Sequence, residues 1–191
     1  MSRLVASLLM TLDGHFEGPN RDFVPPPWND QLDQYSNDII DSSQYFLYGR
    51  KTFEMNKAFW EPAATDPTSP AAADHSYAHK MNETPKLVFS RTLPDNPGWN
   101  ARVIRDHVVD EIAALKRQSG KDLVLFGSAD FLQTLMTHDL VDEYRLIVNP
   151  LLLGAGRPLF LGGHAQLRLE LLESRPLNNG VLILRYGRVR S

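Results

Sequence analysis

Hydrophobic positions along this chain fall into short runs separated by breakers. Leu4 to Met10 is an apolar run closed by Asp13-Gly14, which predicts a first strand. Residues 16–27 read as a loop, with Gly18-Pro19-Asn20 and the triplet Pro25-Pro26-Pro27. Leu32, Tyr35, Ile39 and Ile40 then recur at a spacing that gives a helix one buried face. Tyr45 to Tyr48 is strand-like and ends at Gly49, and residues 50–60 return to a helical pattern. Residues 61–73, rich in Pro, Ala, Ser, Thr and Asp, predict a surface loop, and residues 74–83 a short helix.

The second half continues the alternation. Leu87-Val88-Phe89 and Arg102-Val103-Ile104 predict strands on either side of a turn at 94–98. Asp106 is placed to cap the next helix. Its inward positions are Val108, Val109, Ile112 and Leu115, and it closes on Lys116, Arg117 and Gly120. Leu123 to Phe126 is apolar throughout, as in a strand buried on both faces of a parallel sheet. Ser128 can cap a helix that turns Phe131, Leu132, Leu135 and Met136 inward. After a strand at Tyr144 to Val148, the runs Leu167–Leu172 and Val181–Tyr186 face each other across residues 176–180, an antiparallel hairpin signal. The pattern predicts an α/β fold: a mixed, mainly parallel sheet of about eight strands flanked by helices, with a C-terminal antiparallel hairpin.

Composition narrows the class. The 191 residues carry a net charge of -3, with 42% hydrophobic and 23% charged residues, which excludes disordered and fibrous classes. One domain spanning residues 1–191 is expected, able to bury about 70% of its unfolded surface. The absence of cysteine excludes a disulfide scaffold, an iron–sulfur cluster, a thiolate zinc site and a cysteine nucleophile. Mild acidity argues against nucleic-acid binding. No segment reaches the roughly 18 apolar residues of a membrane span, and the opening run is too short for a signal peptide. A cytoplasmic protein with no membrane partner is expected.

Three strand ends carry candidate anion chemistry. Gly49-Arg50-Lys51-Thr52 joins a strand to a helix, offering free backbone N–H groups, two cations and a hydroxyl. Ser90-Arg91-Thr92 follows a strand and suits a phosphate monoester; it also suits an ordinary exit into a turn. Gly127-Ser128-Ala129 precedes a helix and lets a ligand approach the backbone, although the neighbouring Asp130 is unfavourable beside a phosphate if it points inward. Ends of parallel strands share one edge, so a long phosphorylated ligand such as a dinucleotide could touch all three.

Among acids, Asp13 follows the first strand and Asp33 borders the apolar stripe of the first helix. Either could hold a substrate or relay a proton, and either could be a turn or capping residue. His75 and His79 are spaced to share a helix face, but no third ligand is arranged with them, so no metal site is expected. No G-x-S-x-G motif supports an esterase nucleophile. Gly154-Ala155-Gly156 and Gly162-Gly163 suit tight turns or ligand-contacting loops.

A set of segments then resembles one superfamily. They are Thr11-Leu12-Asp13-Gly14, Leu47 to Glu54, Met81 to Leu93, Leu125 to Ser128, Leu140 to Pro150 and Leu153 to Phe160, in family order across most of the chain. Together they resemble the dihydrofolate reductase-like superfamily. Within it they resemble stand-alone relatives of the reductase domain of the bifunctional riboflavin-biosynthesis deaminase/reductase. The resemblance implies an NADPH-dependent oxidoreductase that passes hydride to a small pteridine-, pyrimidine- or carbonyl/imine-type substrate. The alternative is a non-catalytic nucleotide- or pterin-binding protein on the same fold. It implies that Gly49, Arg50, Lys51 and Thr52 hold cofactor phosphates, that Ser90 and Arg91 surround the 2′-phosphate with Thr92 also at the cofactor, and that Gly127, Ser128 and Ala129 take the pyrophosphate. Ala6 and Ser7 would lie beside the nicotinamide, with Asp13, Asp33 and Phe53 toward the substrate. Asp33 is the first candidate acid and Asp13 the second. It also implies a homodimer. At 191 residues the chain is expected to hold one reductase domain and no fused deaminase.

Overall fold

The computed structural model describes residues 1–190 apart from Asp74 and Ser119, and excludes the side chains of Ala73 and His75. Strand β1 (Leu4–Thr11) leads through β2 (His15–Glu17) to helix α1 (Asp30–Asp41). Then come β3 (Ser43–Gly49), α2 (Arg50–Trp60), α3 (His75–Glu83), β4 (Lys86–Phe89), β5 (Ala101–Ile104) and α4 (Val108–Arg117). The chain continues as β6 (Asp122–Leu125), α5 (Ala129–Thr137), β7 (Glu143–Asn149), β8 (Arg157–Pro158), β9 (Leu169–Pro176) and β10 (Leu182–Arg188). The loop after α2 holds two short 3₁₀ turns, Glu61–Ala64 and Pro70–Ala73.

Eight strands form one sheet in the order β5-β4-β3-β6-β1-β7-β10-β9. All pairings from β5 to β7 are parallel, while β10 lies antiparallel to β7 and to β9. This is the mixed sheet with a C-terminal hairpin that the sequence pattern predicts. Alternation along β1 explains its continuous apolar run. Leu4, Ala6 and Leu8 face α4 and α5, while Val5 faces α1 across the sheet. Strand β6 divides the same way, with Leu123 and Leu125 toward α5 and Val124 toward α1. Each fully buried leucine contributes about 1.5–3 kcal/mol.

Helix starts follow local chemistry in two cases and depart from it in a third. Asn29 Oδ1 accepts the Leu32 amide at 2.9 Å and opens α1. Ser128 Oγ accepts the Phe131 amide at 3.4 Å and opens α5, as the sequence suggests. Asp106 does not cap α4. His107 occupies that position in the left-handed region, φ 53°, and makes no side-chain cap. This helix also stops at Arg117, before Gly120, with the Gln118 amide donating to Leu115 O at 3.1 Å.

The proline-rich loop after β1 hides a small ribbon. Strands β2 and β8 pair antiparallel, and the Leu159 amide donates to Gly14 O at 2.9 Å. Gly156 is required there: its φ is +147°, and a Cβ would collide with the Glu17 carbonyl oxygen. Among the described residues no helix is long and apolar enough to cross a membrane. Nor do three His, Asp or Glu gather there as a metal site; of the histidines spaced to share a helix face, the His75 side chain lies outside what the structure describes.

Candidate functional site

Register levels the carboxyl ends of neighbouring strands. Gly49 of β3 stands opposite Phe89 of β4, and Phe89 opposite Ile104 of β5. On the other side the Gly49 amide donates to Gly127 O at 3.0 Å, just past β6. The row opens into a cleft of about 440 Å³. Gly49, Arg50 and Lys51 line it from the start of α2, Ser90 and Arg91 from the end of β4, and Ser128 from the start of α5. The three strand ends singled out by sequence therefore meet in one cavity, at the carboxyl edge where open α/β sheets hold ligands.

Two helix N-termini point into this cleft. Gly49 precedes α2 with extended backbone and no side-chain cap, which leaves first-turn N–H groups for an anion. Its lack of a side chain matters, since a Cβ would lie 2.6 Å from Ser128 Oγ. Gly127 has φ +132°, and a Cβ there would meet Phe16 Cζ at 3.0 Å and Thr52 Oγ1 at 3.1 Å. The Gly127–Ser128 peptide is cis. Cations surround this floor. Arg50 pairs with Glu54 at 3.0 Å. The Arg91 side chain is 85% exposed with Asp106 at 4.0 Å, and among the described residues it has no other ion pair and Lys51 has none.

Other expected contacts take different places. Thr52 is buried beneath the Gly127 loop and Ala129 at the start of α5, and neither lines the cleft. Thr92 lies outside the lining; Ser90 Oγ accepts the amides of Thr92 and Leu93 at 3.2 Å, so it already braces the turn. Ala6 and Ser7 are buried within β1, paired to β6 and β7, and do not reach the cleft. Phe53 does not line the cleft. It is 1% exposed and packs its ring against Tyr48 and Trp99, because the inward face of α2 falls at that position.

Neither candidate acid lines the cleft. Asp33 lies in the first turn of α1, half-buried, where Trp28 Nε1 donates to its Oδ1 at 3.4 Å. Asp13 is a structural tie: Oδ1 accepts from the Thr11 hydroxyl at 2.6 Å and Oδ2 from the Gly154 amide at 2.7 Å. These bonds, the Thr11 hydroxyl foremost, hold its carboxyl well below the usual range, so it stays ionised and is a poor proton donor. Sequence reading missed Glu17, Arg105, Phe131, Thr134 and Arg157 of the lining. Glu17 and Arg157 reach it only through the β2–β8 pairing, which no local pattern signals.

A second depression of about 360 Å³ opens at the opposite, amino edge, lined by Pro85, Lys86 and Ala101 among others. The anion-binding residue types concentrate instead at the carboxyl edge.

Comparison with known proteins agrees with this fold. The chain is 31% identical over 187 residues to the uncharacterized protein YyaP of Bacillus subtilis, covering 96% of this chain and 94% of that one. A structure from Shewanella sp. PV-4, named for riboflavin biosynthesis, superposes with a TM-score of 0.75 at 23% identity, covering 100% of both chains. Dihydrofolate reductase from Enterococcus faecalis, in complex with NADP(H) and RAB-propyl, superposes at 0.61 with 15% identity, covering 98% and 97% of the two chains. The RibD C-terminal domain family matches residues 3–183. With that span, and with a sheet shared with dihydrofolate reductase, the chain belongs to the RibD C-terminal domain family.

Proposed function

We propose that this protein is an NADPH-dependent reductase of a small pteridine-, pyrimidine- or carbonyl/imine-type substrate. The observation that carries the reading is the meeting of Gly49-Arg50-Lys51, Ser90-Arg91 and Ser128 in one cleft at the carboxyl edge. The cleft fits a dinucleotide phosphate chain, because α2 opens onto it with uncapped first-turn N–H groups and Gly49, beside Ser128 Oγ, has no side chain to fill it. Gly49, Lys51 and Ser128 would hold the pyrophosphate, and Arg91 the 2′-phosphate, which favours NADPH over NADH. Bound there, NADPH supplies a hydride; the protein's part is to hold and orient the two partners. Titration of the purified protein with NADPH, followed by nicotinamide fluorescence, tests this. Saturable binding with NADH much weaker supports it, and no binding at high micromolar NADPH rejects it.

One observation favours a second reading. Among the described residues, the carboxyl groups that line the cleft are those of Glu17 and Asp130, and both are ion-paired to Arg157. A nucleotide- or pterin-binding protein without turnover would have the same floor. Firm NADPH binding with no NADPH consumption across a panel of pteridines, pyrimidines and carbonyls would select it. Exposed Leu169, Leu171 and Leu172 on the edge strand β9 support pairing of two chains as a homodimer, which light scattering decides.

A further inference from the structure

One corner of the cleft runs against its general charge. Arg50, Lys51, Arg91 and Arg105 make most of the lining cationic, yet Glu17 and Asp130 enter it beside Ser128. Between them stands Arg157, whose side chain is 16% exposed. Its Nη2 is bonded to Asp130 Oδ1, and its Nη1 lies 3.9 Å from Glu17 Oε2. The three side chains come from β8, α5 and β2, so the corner exists only in the folded chain. Arg157 thus stands between two carboxylates at the place where a phosphate would enter, with its guanidinium engaged by Asp130.

We propose that Arg157 is an anion-binding residue of this cleft, and that Asp130 is its internal competitor, occupying the guanidinium until a phosphate oxygen replaces it. This rests on the reading of the cleft as a phosphate site. The exchange is physically cheap. The Asp130 side chain is 68% exposed, so its release into water sacrifices an ion pair of the weak, solvated kind. Arg157 stays aligned because Glu17 keeps its hold from the ribbon side, and Glu17 is itself braced by Arg21 at 3.4 Å. The incoming phosphate gains a planar donor able to bind two of its oxygens. Asp130 acts only through Arg157 and through its own repulsion, so removing it strengthens binding, whereas removing Arg157 weakens it. A pair serving only to brace the ribbon against α5 gives the same sign for both.

The test uses the full-length protein and two probes, NADPH by fluorescence and inorganic pyrophosphate by calorimetry, with Asp130→Asn, Arg157→Gln and Arg157→Lys. Asp130→Asn is expected to tighten both probes about two- to fivefold, the range of an exposed ion pair. Arg157→Gln is expected to weaken both about tenfold or more, the range of a lost hydrogen bond to a charged group. Arg157→Lys keeps the charge without the planar fork and falls between; it replaces Arg157→Gln if that variant does not fold. Weakening by Asp130→Asn, or no change with either residue, overturns the proposal while leaving the reductase reading intact if NADPH still binds. Opposite signs with pyrophosphate but no NADPH binding uphold the exchange and overturn the dinucleotide reading. A wild-type protein that binds neither probe overturns both.

Discussion

Gly49 and Ser128 stand at the starts of two different helices, yet a Cβ on Gly49 would lie 2.6 Å from Ser128 Oγ. This closeness ties the α2 start to the α5 start across β3 and β6. Gly49→Ala forces the Ser128 hydroxyl to turn away from the Phe131 amide it accepts. Loss of that cap costs about 1 kcal/mol. The expected outcome is a slightly lower melting temperature and a large loss of NADPH affinity, read by thermal melt and fluorescence titration. Affinity equal to wild type would show that the floor is not where the phosphates sit.

Arg91 differs from its neighbours in having almost no partner, with Asp106 at 4.0 Å. A cation this free contributes little to folding and is available to a phosphate. Arg91→Ala should leave the melting temperature unchanged and cut NADPH affinity about tenfold or more, while NADH affinity stays the same. If the preference for NADPH over NADH survives, the 2′-phosphate is held elsewhere.

Asp13 ties Thr11 to Gly154 and should behave as a structural anion. Its carboxyl is held below the usual range, so the stability it contributes is present above that range and is lost as pH falls through the lowered value. Asp13→Asn is expected to lower the melting temperature at pH 7. The gap from wild type should close progressively in acid, below about pH 4. If the melting temperature is unchanged while turnover is abolished, Asp13 is a reacting group after all.

Lys86 is 1% exposed, and burial pushes its ammonium down to about 7, against a partial pull upward from Glu61 and Glu83. Its Nζ donates to Asn82 O at 2.9 Å and lies 4.2 Å from the centre of the Trp99 ring. Between about 7 and the ordinary lysine value the unfolded chain binds the extra proton, so stability from this group rises with pH across that window. Below it the cost of burying the charge is carried in full. Lys86→Met should flatten the rise of denaturation midpoint between pH 7 and about pH 10. An unchanged slope would place the titration elsewhere.

The layout of strands and helices was legible because each element carries its own local signal. The run Leu123 to Phe126 signals a doubly covered strand, and the structure buries all of Asp122–Leu125. Ser128 signals a helix start and forms one. The cap of α4 was misread, since Asp106 and His107 are adjacent polar residues and the left-handed turn at His107 decides between them. Phe53 shows a second limit: it lies four residues past a strand-end glycine in a candidate site, but the phase of α2 turns it onto Tyr48 and Trp99.

The sequence by itself determined that strands end in glycines, hydroxyls and cations at Gly49, Ser90-Arg91 and Gly127-Ser128. Period-two apolar runs and helix-start chemistry are written within a few residues of chain. Only the tertiary structure decided that these ends are level, since register is set by pairing between strands far apart in sequence. It alone decided that Asp13 serves the Gly154 loop, and that Arg157 meets Asp130 and Glu17. Those contacts join residues 27 to 141 positions apart. The energy that selects them is released only when the sheet assembles, so no local pattern can carry them.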